Sequence, residues 1–206
     1  MANTTFNGPV RSENGFQMVS KNATTGTITV TSGDKWGTEA TGSAGIEGTA
    51  AVYVTQVDRL KSDVTTNVNI VKSSIMIDLT GLKDGGTAGD IIGKDGSGVA
   101  FIGRVTTANQ GTVFGVTMTC LETPAGGSTD IDLYSATEGT GVNDTAIGDL
   151  TETQIINAGA ASAGTMVAGG DITADQYLYL VSQGTGDATY TAGRCLIEVV
   201  GYDVGS

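Results

Sequence analysis

Few residues in this chain are able to do chemistry, because it contains no histidine. Histidine is the commonest general base, the usual partner of serine and cysteine nucleophiles, and the commonest ligand of catalytic zinc. A Ser–Lys nucleophile or a carboxylate pair would still be chemically sufficient, but no motif frames such residues here. The sequence therefore predicts a protein that is not an enzyme, with no catalytic residues and no cofactor.

Two groups of aspartates are the remaining candidates for a metal site. Asp130 and Asp132 lie two residues apart and can share one face of a strand, whereas Asp84, Asp90 and Asp95 lie in Gly-rich loops. Calcium prefers such oxygen ligands, but the regular acidic spacing and terminal glutamate of an EF-hand loop are missing. We interpret these carboxylates as solvated loop residues and predict no metal site.

The two cysteines, Cys120 and Cys195, lie within apolar strand patterns. Cysteine packs as a small hydrophobic residue, so buried free thiols are the simplest interpretation. A disulfide would require the two strands to be neighbours with suitably directed Cβ atoms. The sequence leaves that question open.

The stretch from Gly111 to Tyr134 contains the clearest strand signals. Apolar residues occupy every even position from Phe114 to Cys120, which predicts a strand with one apolar face. Residues 122–128 contain Pro and Gly-Gly and predict a turn. In residues 130–134, Ile and Leu then alternate with two Asp and a Tyr, which predicts a second strand buried on one side only.

The same alternation predicts about nine strands in the whole chain. Besides the two above they are Thr27–Thr31, Ala50–Val57, a long or broken strand over Val64–Ile70 and Ser74–Leu79, a very short one at Ile91–Ile92, Val99–Val105, Tyr177–Val181 and Cys195–Tyr202. Tyr177–Val181 is apolar on both faces, which predicts a central strand covered on both sides. The best helix candidate is Thr151–Ala161, where Thr151 and Gln154 have the spacing of a capping box.

This pattern predicts an all-β fold, an antiparallel β-sandwich with long Gly/Thr-rich loops, for which a jelly roll is one fitting topology. Residues 25–206 form the predicted single sandwich domain. Residues 1–24 are polar with scattered aromatic residues, which fits either a mobile terminus or an extended N-terminal arm. We predict the arm, with partner contacts at Phe6, Pro9, Arg11 and Phe16, and a further contact at Trp36, the only tryptophan.

The composition also limits the partners. Twenty-two acidic residues against ten basic ones give a net charge of −12, and no basic run offsets it, so we expect no nucleic-acid binding. No apolar stretch is long enough for a membrane span or a signal peptide, so we expect no membrane partner. Several predicted strands lack Lys or Pro at their edges, and subunit association is one way to cover such edges.

Five segments carry a resemblance to a known group of proteins. They are NTTFNGPVRSENGF (3–16), IDLTGL (77–82), CLETPAGG (120–127), DIDLYSATEGTG (130–141) and AGRCLIEVVGYD (192–203). Together they resemble small virion structural proteins of tailed phages of marine bacteria, including cyanobacteria. The resemblance implies a head decoration, or cement, protein of the virion that binds the outer capsid lattice. Its implied partners are the major capsid protein and further copies of itself, commonly in a trimer.

Two other functions remain open at this stage. The loops around Trp36 and Ser135–Gly141 would suit a host-glycan-binding appendage module, for which a glycan array is the test. Exposed strand edges and a donor-like arm would instead suit a self-assembling tube or fibre subunit, which would form filaments when purified alone.

Overall fold

A computed structural model of the chain describes residues 19–21, 28–30, 52–61, 68–96 and 98–204. The chain separates into two compact units, Met1–Lys35 and Trp36–Ser206. In the first unit, β1 (Val19–Lys21) pairs antiparallel with β2 (Ile28–Val30), which falls within the predicted strand Thr27–Thr31. The predicted boundary between arm and sandwich, at residues 24 and 25, lies outside the described residues.

The second unit is built mainly of antiparallel strands. They are β3 (Val52–Lys61), β4 (Val68–Asp78), β5 (Asp90–Ile91), β6 (Gly103–Val105), β7 (Thr112–Ala125), β8 (Ile131–Ala136), β9 (Glu152–Ile156), β10 (Met166–Gly169), β11 (Gln176–Ser182) and β12 (Ala192–Val204). A four-residue helix, α1, covers Thr107–Gln110, and a 3-10 turn covers Ile147–Asp149.

These strands form two sheets. Sheet 1 has the order β10-β7-β12-β4-β3, and sheet 2 has the order β5-β11-β8-β9, with β6 also pairing with β11. Every strand pair is antiparallel. The predicted all-β antiparallel sandwich is confirmed, while the jelly-roll topology stays a prediction.

The main core lies between the two sheets. Alternate residues of β4, β7 and β12 point inward from sheet 1, and alternate residues of β8 and β11 point inward from sheet 2. The residues at its centre are Ile75, Ile77, Val116, Met118, Ile197, Val199, Leu133, Leu178 and Leu180. The alternating apolar residues that mark these strands in the sequence are therefore the residues buried in the core.

A second, smaller core covers the outer face of sheet 2. Tyr179 and Val181 of β11 pack there against loop residues that include Phe101 and Ile147. The Tyr179 hydroxyl donates a hydrogen bond to the carbonyl oxygen of Glu138 at 2.7 Å. Burial raises the pKa of Tyr179 to about 12. The prediction of a central strand covered on both sides is confirmed for β11.

The predicted helix at Thr151–Ala161 is wrong. Residues 152–156 instead form β9, which pairs with β8 and buries Ile155 and Ile156 in the main core. The Thr151 hydroxyl does not cap a helix, because it donates a hydrogen bond to the carboxylate of Glu138 at 2.8 Å. Pairing with the edge of β8 and the burial of two adjacent isoleucines stabilise a strand here more than the predicted capping box would stabilise a helix.

The predicted apolar face of β7 is wrong at Phe114, which is 55% exposed. A register shift against β12 opposite Val200 and Gly201 adds one residue to β7, so Val113 takes the inward position. The strand β8 is not open on one side as predicted, because the loops of the second core and β9 cover it and Asp132 is buried.

Several strand bounds also differ from the predictions. The strand β3 continues beyond its predicted end at Val57 to Lys61, and β4 runs unbroken from Val68 to Asp78. The strand β6 is shorter than predicted, and β10 was not predicted. Both β6 and β10 are short strands held by their neighbours, and so they carry little periodicity of their own.

Gly201 in β12 allows the close approach of α1 to sheet 1. A Cβ atom at this position would overlap the backbone carbonyl oxygen of Gln110 and lie 2.9 Å from that of Thr112. We expect Gly201→Ala to lower the free energy of unfolding by roughly 2–3 kcal/mol, measured by urea denaturation followed by circular dichroism. Gly115→Ala, in the neighbouring strand with nothing within 4 Å, is the control and should change it by less than about 0.5 kcal/mol. Equal effects would contradict this packing.

Candidate functional site

The residues predicted to contact a partner all lie outside the described residues. They are Phe6, Pro9, Arg11, Phe16 and Trp36. Their role stays a prediction, so the candidate site is built from the surface of the second unit.

The carboxylates considered as metal ligands serve the fold in most cases. Asp84 is buried and accepts hydrogen bonds from the backbone N–H groups of Ser128 and Ala188 at 2.8 and 2.7 Å. Asp132 is buried and accepts from Gln154 Nε2 at 2.8 Å and from the Ala158 N–H at 2.9 Å. Their interpretation as solvated loop residues is wrong, because each one satisfies backbone donors that a loop leaves unpaired.

Two of the other three carboxylates have partners as well. Asp90, also buried, accepts from the backbone N–H of Thr87 at 2.7 Å. Asp95 is exposed and lies 3.1 Å from Lys83 Nζ, as the prediction of a solvated carboxylate requires. Within the described ranges, no group of three or more His, Cys, Asp or Glu side chains is arranged to hold a metal ion.

Asp130 differs from these aspartates. Among the described residues, its Oδ1 is buried without a hydrogen-bond partner. Burial, and next the charge of Asp132, raise the pKa of Asp130. A carboxyl group whose pKa is raised by folding destabilises the folded state once it is ionised, and this penalty disappears when it is protonated.

We therefore expect Asp130→Asn to raise the free energy of unfolding at pH 7 by up to about 1 kcal/mol. The gain should vanish as the pH falls through the raised pKa, because the wild-type carboxyl group is then protonated. Denaturant titrations at pH 3 to 7 measure both effects. Asp132→Asn is the matched control and should lower stability, because Asp132 accepts two hydrogen bonds. A stability loss in Asp130→Asn at pH 7 would contradict the interpretation.

Among the described residues of the second unit, the exposed large hydrophobic side chains gather on the outer face of sheet 1. Five cross-strand rows run over β7, β12 and β4, in the order Thr112–Tyr202–Ile70, Gly115–Val200–Lys72, Thr117–Glu198–Ser74, Thr119–Leu196–Met76 and Glu122–Arg194–Asp78. We call this surface, with the exposed Phe114, Leu121 and Met166 beside the rows, the outer face. It contains all four exposed large hydrophobic side chains among the described residues: Phe114, Leu121, Met166 and Tyr202.

The two exposed aromatic side chains of the outer face are neighbours. The rings of Phe114 and Tyr202 lie 6.3 Å apart between centroids. Ile70, Met76, Leu196 and Val200 are partly exposed between the strands. The polar row Thr117–Glu198–Ser74 divides these apolar residues into two groups. Isolated exposed apolar residues are ordinary on protein surfaces, but grouped ones are typical of an interaction site.

The charges of the outer face neutralise one another. Lys72 forms an ion pair with Glu198. Arg194 Nε lies 3.4 Å from Asp78 Oδ2, and its Nη1 lies 3.5 Å from Glu122 Oε2. Hydrogen bonds from Thr80, and to a smaller degree Arg194, lower the pKa of Asp78. The face thus carries two basic and three acidic residues.

The rest of the described surface is strongly acidic by comparison. Between Ile70 and Tyr202, away from the outer face, nine Asp and Glu residues besides the buried Asp84, Asp90 and Asp132 occur against only Lys83, Lys94 and Arg104. These carboxylates lie in sheet 2 and in the loops that surround it. Most of the negative charge of the described body therefore lies away from the outer face.

Sequence reasoning missed the outer face, although one signal for it exists. In residues 195–200 of β12, CLIEVV, both alternating sets of positions are mostly apolar. The inward set packs in the main core, whereas the apolar residues of the outward set would be shielded from water only by a further layer of protein.

Comparison with known proteins does not decide the function. No protein family, no characterised protein and no solved structure gives a significant match to this chain. In the part of the chain that the structure describes, no helix has the length and apolar character needed to cross a membrane.

Proposed function

We propose that this chain is a virion structural protein, most consistent with a phage head decoration or cement protein that binds the outer capsid lattice as a homo-oligomer. The observation that supports this most directly is the outer face of sheet 1. The resemblance of five segments to virion proteins of marine phages supports it as well. The function is structural, with no catalytic step.

In this proposal, the outer face is where copies of the chain associate. Two copies of a chain with a net charge of −12 repel each other, and the repulsion is smallest where the surface is nearly neutral. The ion pairs of the outer face already neutralise its charges, and its exposed aromatic and aliphatic side chains gain from leaving water. A second copy of the chain therefore suits this surface.

The size of the outer face fits such an interface. Three strands about 4.8 Å apart, with a length set by the 11 residues of β4, and the four residues of β10 together span roughly 600 Å². A standard stable interface buries about 800 Å² on each partner. The outer face of one copy therefore reaches the lower end of the standard range. A two-fold pair of copies would use it on both partners, whereas the trimer expected from the resemblance would need two complementary parts of the surface around a closed ring.

A double substitution tests the outer face as the self-association surface. Phe114→Glu with Leu121→Glu adds two charges at exposed positions, so the fold should survive while association weakens by at least about 100-fold. Mass in solution from light scattering should show an oligomer for the wild type and a monomer for the variant. Thr153→Glu, at an exposed position of β9 in sheet 2, is the control and should leave the mass unchanged.

A monomeric wild type at micromolar concentration would overturn the role of the outer face. Filaments of the purified protein in electron micrographs would favour a tube or fibre subunit instead.

A deletion tests the link to the capsid. Removing residues 2–18 keeps the strand pair β1–β2 and the second unit, but removes the predicted contacts Phe6, Pro9, Arg11 and Phe16. We expect occupancy on capsid shells lacking the protein to be abolished, because many weak repeated contacts depend on each arm. Co-sedimentation with the shells measures occupancy, and circular dichroism checks that the body is folded. Undiminished occupancy would contradict the role of the arm.

A further inference from the structure

The two cysteines face each other across neighbouring strands. Cys195 of β12 is the direct register partner of Cys120 of β7. Both side chains point inward from sheet 1 and are 8% and 6% exposed, respectively. Both also line one small, mostly apolar pocket together with Leu79, Met118 and Pro124. The first condition for a disulfide, which the sequence left open, is thus met: the strands are neighbours and the Cβ atoms lie on one face.

The backbone hydrogen bonds identify the type of this pair. The Cys120 N–H donates to the carbonyl oxygen of Thr165 at 2.8 Å, and its own carbonyl oxygen accepts from the Gly164 N–H at 2.8 Å. In an antiparallel strand, the N–H and C=O of one residue point to the same side. Cys120 therefore directs both groups towards β10, which makes Cys120–Cys195 a non-hydrogen-bonded pair of β7 and β12.

This pair type has the geometry that a disulfide needs. The Cα atoms of a non-hydrogen-bonded pair lie about 4.5 Å apart, closer than those of a hydrogen-bonded pair. Disulfides span Cα separations of about 4.4–6.8 Å. The structure contains both residues as free thiols, and Cys120 Sγ donates to the carbonyl oxygen of Glu122 at 3.3 Å. The register of β7 against β12 shifts between Arg194 and Cys195, but the two cysteines themselves are direct register partners.

We propose that Cys120 and Cys195 form an intramolecular disulfide when the protein meets oxidising surroundings, and that this bond locks β7 to β12. The inference stands on strand register and hydrogen bonding, and it is independent of the proposed function. The cysteine pair is thus proposed as a site of covalent modification.

The reaction balances with a small-molecule disulfide as the oxidant. One protein thiolate attacks the oxidant, forms a mixed disulfide and releases one small thiol. The second protein thiol loses its proton, attacks the first protein sulfur and releases the second small thiol. Two protein thiols and one small disulfide thus yield one protein disulfide and two small thiols.

Burial sets the rate of this reaction. It raises the pKa of Cys195 to about 12 and also raises the pKa of Cys120, so the reactive thiolates are scarce at neutral pH. We expect oxidation to take hours at pH 7 and to accelerate as the pH rises, because the thiolate fraction grows.

Oxidised glutathione provides the test. After incubation at pH 8, the intact mass of the wild type should fall by two hydrogen atoms, and peptide mapping should join the segments containing Cys120 and Cys195. The bond closes a loop of about 75 residues, so the thermal midpoint of the oxidised protein should exceed that of the reduced protein by roughly 5–15 °C. A reducing dithiol should reverse both changes.

Single substitutions supply the controls. Cys120→Ala and Cys195→Ala each leave one thiol, so oxidised glutathione should add at most one glutathione and give no rise in the thermal midpoint. The wild-type comparison of oxidised and reduced protein requires neither variant to be stable. Two free thiols after prolonged exposure at pH 8, or a disulfide only between different chains, would overturn the proposal.

Discussion

The pairing of β12 with β7 and β4 is the constraint on which most of this structure depends. It runs over the full length of β4, from Val68 to Asp78, and it fixes which side chains of three strands enter the core. A shift of one residue would exchange the inward Ile197 and Val199 for the outward Leu196 and Glu198. The register of β7 against β12 shifts at three places, and at the shift opposite Val200 and Gly201 Phe114 leaves the core for the surface.

The sequence revealed those elements whose signal is local and repeated. The alternation in β7 and β12 follows from burial of one face, and the continuous apolar run of β11 follows from burial of both faces; either pattern can be recognised within a single strand. The same reasoning failed at Thr151–Ala161, where the decisive contacts are with β8 and the main core. A strand that is stabilised mainly by pairing with residues distant in the sequence shows little strand pattern in its own residues.

The carboxylates show the same limit for the candidate site. Nothing around Asp84 in the sequence indicates that Ser128 and Ala188, far along the chain, would each give it a hydrogen bond. Loop aspartates look alike in a sequence, yet here one is buried and bonded, one is exposed beside Lys83, and Asp130 has a buried oxygen without a partner. The outer face was equally hidden, because its charges cancel only after Arg194 meets Asp78 and Glu122 across three strands.

The inner and outer faces of sheet 1 have different roles in the proposed assembling subunit. Inward side chains hold the sandwich together, whereas the outward ones present a nearly neutral surface on a chain whose other described surfaces repel a like-charged neighbour. The cysteine pair lies on the inward face of the same strands. A disulfide between β7 and β12 would therefore stiffen sheet 1 without altering its outer face. Under the proposed function, a virion protein leaves the reducing cytoplasm at host lysis, and disulfides persist in such oxidising surroundings. Assembly would then precede the covalent lock, because the thiols are buried and react slowly.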